Sequence, residues 1–118
     1  MGNGTKLPRI LVVDDHSDTV EVTAFLLTKN GYEVVAAYSV AGARAAAAIH
    51  QCEVIISDVG LPDGSGIELM RELQMQYGTK GILVSGAANH RHAVGADGFK
   101  YLTKPVDLQH LLEVLQSL

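Results

Sequence analysis

A set of polar residues whose types suit chemistry on a phosphoryl group stands at the ends of short apolar segments: Asp14, Asp15, Asp58, Ser85 and Lys104. Carboxylates that are brought close together repel one another unless a positive charge joins them. Mg²⁺ binds carboxylate and carbonyl oxygens and often keeps a phosphate oxygen among its ligands. A lysine and a hydroxyl group can hold other phosphate oxygens. One of the carboxylates could then act as a nucleophile toward phosphorus and form an aspartyl phosphate.

Asp58 taken alone has a simpler interpretation, because acidic residues often end a strand at the start of a loop. The loop that follows it is rich in turn-forming residues, namely Gly60, Pro62, Gly64 and Gly66. The chemical interpretation therefore requires that the other polar residues lie at the same edge of the fold.

Short runs of apolar and β-branched residues predict five strands: Arg9 to Val13, Glu33 to Ala37, Val54 to Ser57, Gly81 to Ser85 and Lys100 to Thr103. The runs that precede Asp14 and Asp58 are almost continuously apolar, which is typical of parallel strands buried on both faces. Each of the polar residues named above lies at or just beyond the carboxyl end of one of these strands.

Helices are predicted between the strands. The first has Ser17 or Asp18 as its cap and ends at Asn30-Gly31. The second follows Ser39, and its alanine-dense segment from Ala41 to Ile49 has high helix propensity.

Two further helices follow the remaining strands. One runs to about Tyr77, where Gly78 ends it, and the last begins at a cap, Asp107. Between Asn89 and Gly95 there is room for only a short or degraded fourth helix.

Strands that alternate with helices, with connections too long for hairpins, predict an α/β fold with a doubly wound, five-stranded parallel sheet and helices on both faces. Ligands of such sheets bind beyond the carboxyl ends of the strands, where the polar residues lie. Residues 1–8 are predicted to be a flexible leader or linker, and residues 9–118 one domain.

The composition limits the function classes. The 118 residues, 47% of them hydrophobic, suffice for one core, and a net charge of −4 argues against direct nucleic-acid binding. No apolar run approaches the roughly 20 residues that span a bilayer, so we expect no membrane contact by this domain. The lone cysteine, Cys52, favours a reducing, cytoplasmic location.

With these motifs the chain resembles a CheY-like receiver domain of the response regulators of two-component signalling. The resemblance extends from about Arg9 to Leu118. The resemblance is carried by the pair Asp14-Asp15, by Asp58 followed by Leu61-Pro62 and Gly66, by Ser85-Gly86 and by Lys104-Pro105. The 44 positions from Asp14 to Asp58 fit the family's usual spacing. The resemblance implies a flavodoxin-like sheet with the strand order 2-1-3-4-5.

The resemblance also implies a role for each site residue. Asp58 would accept a phosphoryl group from a phosphohistidine on a histidine kinase or a histidine phosphotransfer domain. Mg²⁺, with Mn²⁺ as an alternative ion, would be held by Asp14, Asp15, Asp58 and the backbone carbonyl of Gly60. Ser85 and Lys104 would hold the phosphate.

A conformational switch is implied as well, through Ser85 and the aromatic residue Tyr101, and Pro105 is a candidate for a cis peptide bond. The domain would then be a phosphoacceptor that assists its own phosphorylation and dephosphorylation rather than an enzyme. We expect a monomer or a weak dimer.

Two features qualify the resemblance. The 19 positions from Ser85 to Lys104 are a few short of the usual number, and the loss falls on the fourth helix. None of the five histidines shows a strong metal-ligand spacing, although His16 directly follows the acid pair and is placed to line the pocket.

Several alternatives stay open. The loop after Asp58 and the Thr103-Lys104-Pro105 segment are similar to receivers of hybrid sensor histidine kinases, and the domain could instead be a stand-alone single-domain response regulator. A non-phosphorylated interaction module usually lacks an acid or the lysine, and both are present here. An aspartyl-phosphate hydrolase would place its nucleophile after the first strand, and a flavin protein would need a phosphate-binding loop there.

Overall fold

In the computed structural model, which describes residues 7–86 and 98–118, a parallel sheet forms the centre of the chain. Its strands are β1 (Arg9–Val13), β2 (Glu33–Ala37), β3 (Val54–Asp58), β6 (Lys80–Ser85) and β7 (Lys100–Thr103). Two short strands, β4 (Gly60–Leu61) and β5 (Gly64–Ser65), pair antiparallel in the loop after β3.

The strands of the central sheet follow the order β2-β1-β3-β6-β7, and all their pairings are parallel. Counted without the small hairpin, this is the predicted order 2-1-3-4-5. The predicted α/β fold class is thereby confirmed, with β3 one residue longer and β6 starting one residue earlier than expected.

Four helices lie within the described ranges: α1 (Ser17–Lys29), α2 (Val40–Ile49), α3 (Gly66–Tyr77) and α4 (Leu108–Ser117). The helix predicted between Asn89 and Gly95 falls outside these ranges. None of the four is long and apolar enough to cross a membrane.

The predicted helix boundaries are mostly confirmed. Ser39 caps α2, Asp107 caps α4, and Gly78 ends α3 with a left-handed φ of 72°. The prediction that Ser17 or Asp18 caps α1 is wrong, because the cap residue is His16. The Asp14 carboxylate accepts the His16 N–H at 3.0 Å, and this short-range bond holds His16 in an extended conformation just before the helix.

Alternate residues of each strand enter two separate cores. One face of the sheet packs against α2 and α3 through residues that include Leu11, Ile55 and Leu83. The other packs against α1 and α4 through residues that include Ile10 and Ile82. Both faces are therefore covered, which explains the nearly continuous apolar strands and leaves the carboxyl edge of the sheet as the place for polar side chains.

Candidate functional site

The strand register brings the predicted polar residues to one edge of the sheet. Val13 is opposite Ser57 and Ser85 is opposite Thr103, so the residues that follow β1 and β7, Asp14 and Lys104, lie at the same level as the end of β3. Side chains from distant parts of the sequence can meet there.

Lys104 joins two of the acids. Its Nζ lies 2.8 Å from Asp58 Oδ2 and 3.4 Å from Asp14 Oδ2. Burial lowers the pKa of Lys104, but the hydrogen bond to Asp58 and the charges of both carboxylates outweigh this effect and raise the pKa above its ordinary value. The ammonium group is therefore charged at neutral pH and neutralises part of the acid cluster.

Asp14 is the most enclosed acid of the cluster, with 7% of its side chain exposed. Its Oδ1 accepts the backbone N–H of His16 at 3.0 Å, while its Oδ2 faces Lys104. Burial raises the pKa of Asp14, but the hydrogen bonds from His16 and the charge of Lys104 together bring it below the ordinary value. Asp14 is thus held as a carboxylate.

His16 and Asp15 form the outer side of the cluster. His16 Nδ1 lies 3.0 Å from Asp14 Oδ1 and 3.2 Å from Asp15 Oδ1. The hydrogen bond with Asp14 and the charges of both acids raise the pKa of the exposed imidazole. The sequence had indicated His16 only by its position after the acid pair, and the structure brings it into the cluster.

The donor atoms of this cluster fit a divalent cation. Asp14, Asp15, His16 and Asp58 each offer one atom, and all of these atoms lie within 4.8 Å of one another. Carboxylate oxygens in such a group are ligands that Mg²⁺ and Mn²⁺ accept. Gly60 lies beside them, with its N–H donating to Asp58 Oδ1 at 3.4 Å.

The backbone carbonyl of Asp58 is held by contacts with Ser57 and Gly66. Its carbonyl oxygen accepts the Ser57 hydroxyl at 2.9 Å. Gly66, the first residue of α3, packs so closely that a Cβ on it would collide with the same carbonyl oxygen, and its N–H donates to the carbonyl of Val59 at 2.7 Å. Gly66 is therefore required because a close approach of two backbones leaves no space for a side chain.

Asp63 ties the loop after Asp58 to a different element. Its carboxylate accepts the N–H groups of Val40 at 2.7 Å and Ala41 at 3.0 Å, at the start of α2. These hydrogen bonds lower the pKa of Asp63. This contact was not predicted from the sequence, since the partners are more than 20 positions away and only the preference of acids for helix starts could have indicated it.

Ser85 is the last residue of β6, and Tyr101 lies in β7, the neighbouring strand. Ser85 is buried, and its carbonyl oxygen accepts the Lys104 N–H at 2.9 Å. Tyr101 is half-buried opposite Leu83 and packs against the core on the side of α2 and α3. The Lys104–Pro105 peptide bond is cis.

A cavity of about 450 Å³ opens beside the acids, between α1 and the residues that follow β7. Asp14, Asp58 and Lys104 line its polar end, whereas Thr23 and Leu26 are among the residues of its α1 side. Residues of α1 therefore lie beside the space that adjoins Asp58.

The fold and the site together define a class of proteins, namely small doubly wound α/β domains with an acid cluster and a lysine at the carboxyl edge of the sheet. The model of the response regulator receiver domain family matches residues 10–116. The chain belongs to this family and is a receiver domain of two-component response regulators.

Similar proteins agree with this assignment. The transcriptional regulatory protein KdpE of Mycobacterium tuberculosis is 34% identical over 111 residues, which are 92% of this chain and 49% of that protein. This chain thus spans about half the length of KdpE. A receiver domain protein from Clostridium thermocellum has a TM-score of 0.83 and 31% identity, covering 94% of this chain and 93% of that one. The response regulator TrrA from Thermotoga maritima, solved with Mg²⁺ and BeF, has a TM-score of 0.85 and 26% identity, covering 94% of this chain and 98% of that one.

Proposed function

We propose that this receiver domain takes a phosphoryl group onto Asp58 from a phosphohistidine of a histidine kinase or a histidine phosphotransfer domain. The observation that carries the proposal is the position of Lys104 Nζ, 2.8 Å from Asp58 and 3.4 Å from Asp14, where all three residues line one cavity. A charged lysine beside a nucleophilic carboxylate can bind an oxygen of the incoming phosphoryl group and stabilise its negative charge.

Asp14, Asp15, Asp58 and the backbone carbonyl of Gly60 would hold the ion, which is Mg²⁺ or Mn²⁺. When bound, the ion supplies positive charge that offsets the negative charge on the transferring group. The closeness of the carboxylate oxygens supports this assignment, and so does the Mg²⁺ and BeF complex of TrrA.

The transfer is a substitution at phosphorus. An oxygen of the Asp58 carboxylate attacks the phosphorus atom, and the bond from phosphorus to the imidazole nitrogen breaks with its electron pair returning to that nitrogen. Lys104 then moves its hydrogen bond from Asp58 Oδ2 to a phosphate oxygen. The Ser85 hydroxyl donates to another phosphate oxygen.

Phosphorylation of Asp58 would change the conformation of the protein surface through Ser85 and Tyr101. The backbone of Ser85 is bonded to Lys104, so a shift of either residue toward the phosphate moves the other. Tyr101 is in β7, the neighbouring strand, and is half-buried, so a change of its ring's rotamer would alter the exposed surface.

The exposed surface of α1 has apolar side chains on which the histidine-containing partner protein could dock. Val22 and Phe25 are large apolar side chains that are 58% and 62% exposed. They belong to the helix that borders the cavity lined by Asp58. An apolar helix of a histidine-containing partner that packs there would bring its phosphohistidine near Asp58.

The polypeptide to which this domain belongs has three candidates. The loop and Lys-Pro motifs support the receiver of a hybrid sensor histidine kinase, and a stand-alone regulator remains the alternative. The similarity to KdpE, a transcriptional regulatory protein, favours a receiver within a transcriptional regulator. Two measurements on the native protein from its source cells would separate these candidates. One is its mass, and the other is the sequence of any of its peptides that lie outside the chain described. The expected cytoplasmic location is common to all of them.

Incubation with a phosphorylated histidine phosphotransfer domain tests the proposed transfer. We expect the phosphoryl group to move to this chain, to be labile in alkali as acyl phosphates are, and to be located on the side chain of Asp58. A phosphoryl group on a histidine or serine side chain would contradict the proposal.

A further inference from the structure

His16 occupies a position that normally has another kind of residue. The N-cap of a helix is usually Ser, Thr, Asp or Asn, whose side chain accepts an N–H of the first turn. His16 is the N-cap of α1, and its side chain makes no such hydrogen bond. Its imidazole is turned back toward the acid pair instead, so capping does not explain this residue.

The three consecutive residues Asp14, Asp15 and His16 present their donor atoms at a spacing that suits one ion. His16 Nδ1 is 3.0 Å from Asp14 Oδ1 and 3.2 Å from Asp15 Oδ1. In an octahedral site with metal–ligand distances of about 2.1 Å, neighbouring donor atoms lie about 3.0 Å apart. Without an ion, a proton on the imidazole can occupy the same space.

The lysine does not block this arrangement. Asp14 uses Oδ1 toward His16 and Oδ2 toward Lys104, so the two sides of its carboxylate are separate. With 69% of its side chain exposed, His16 is accessible to an ion that arrives from solvent.

We propose that His16 is a metal-selectivity residue, whose Nδ1 joins Asp14 and Asp15 as a ligand, so that the pocket favours first-row transition ions over Mg²⁺ more than carboxylates alone would. Imidazole nitrogen is a good ligand for ions such as Co²⁺, whereas Mg²⁺ prefers oxygen. This inference rests on the proposed function, because it concerns the same divalent-ion site that phosphorylation of Asp58 would use.

Binding of Co²⁺ and Mg²⁺ to the full chain tests this role without measuring phosphorylation. Titrations are followed by the visible spectrum of Co²⁺, and only the Co²⁺ that Mg²⁺ displaces is counted, which excludes ions on other histidines. We expect His16→Ala to weaken Co²⁺ binding about tenfold or more and Mg²⁺ binding by less than about threefold. His16→Asn, which can still cap α1, serves as a second variant that lacks the imidazole.

His110→Ala is the matched control, because His110 is an exposed histidine on α4. It should change neither affinity. An unchanged Co²⁺ affinity in both His16 variants, or an equal loss for the two ions, would overturn the inference.

The failure of the inference can be told from that of the proposed function. If Asp58 takes up phosphate in Mg²⁺ but the ratio of Co²⁺ to Mg²⁺ affinity does not depend on His16, the selectivity role is wrong. If the ratio depends on His16 but no phosphate reaches Asp58, the selectivity role is supported and the phosphoacceptor function fails.

Discussion

Lys104 and Asp58, which are 46 positions apart in the sequence, form an ion pair of 2.8 Å between Nζ and Oδ2, with 33% and 15% of their side chains exposed. The ammonium group neutralises part of the negative charge of the acid cluster. A divalent ion bound to the same carboxylates would lie close to this positive charge and be repelled by it.

Lys104→Met should therefore tighten Mg²⁺ binding several-fold at low salt, because the ion no longer meets a neighbouring positive charge. Phosphorylation of Asp58 should slow at the same time, since the phosphate loses the lysine. Calorimetric Mg²⁺ titration measures the first effect. Lys100→Met, at an exposed lysine of β7, is the control, and weaker Mg²⁺ binding by Lys104→Met would contradict the account.

Gly66→Ala should destabilise the fold by about 1 to 3 kcal/mol, because its Cβ would collide with the backbone of Asp58. Urea unfolding measures this change. Gly60→Ala is a matched control at a nearby glycine, since a Cβ there meets no atom within 4 Å. Equal stabilities of the two variants would show that the close approach at Asp58 is not as described.

Phe25→Ala should slow transfer from a phosphohistidine partner and leave phosphorylation by acetyl phosphate nearly unchanged, because the side chain is exposed on α1 and does not line the cavity. Initial rates with the two donors provide the comparison. Met75→Ala is the control, as Met75 is a highly exposed residue of α3 on the opposite face of the sheet. An equal loss of rate with both donors would exclude α1 as a docking surface.

Asp63→Asn should lower the urea midpoint at neutral pH, because the charged carboxylate binds two N–H groups at the start of α2. The pKa of Asp63 lies below the ordinary 3.8, so its stabilisation is complete above about pH 4 and is lost as the pH falls through the lowered pKa. The difference between wild type and variant should be constant from pH 5 to 7 and shrink below about pH 4. A difference that grows on acidification would contradict this assignment.

The five strands of the central sheet were predictable from the sequence because most of them are short apolar runs, whereas the β4–β5 hairpin was not predicted and the strand order came from the family resemblance. The register then placed Asp14, Asp58 and Lys104 together, as the rule for carboxyl ends of parallel strands predicts. These inferences rely on local patterns and on one general rule of topology.

The contacts that the sequence did not reveal depend on three-dimensional placement. Asp63 meets the start of α2 only because the small β4–β5 hairpin directs its side chain there. His16 became the helix cap because the Asp14 carboxylate binds its N–H, a choice that propensities favouring Ser17 could not indicate. The roles of Ser85 and Tyr101 in a switch stay predictions.

The most direct test of the central claim is intact mass spectrometry after incubation with Mg²⁺ and acetyl phosphate. Wild type should gain the mass of one phosphoryl group, and the gain should disappear when Mg²⁺ is chelated. Asp58→Asn should gain none while keeping its fold. An adduct of equal yield on Asp58→Asn, or no adduct on wild type, would contradict the assignment of Asp58 as the phosphoacceptor.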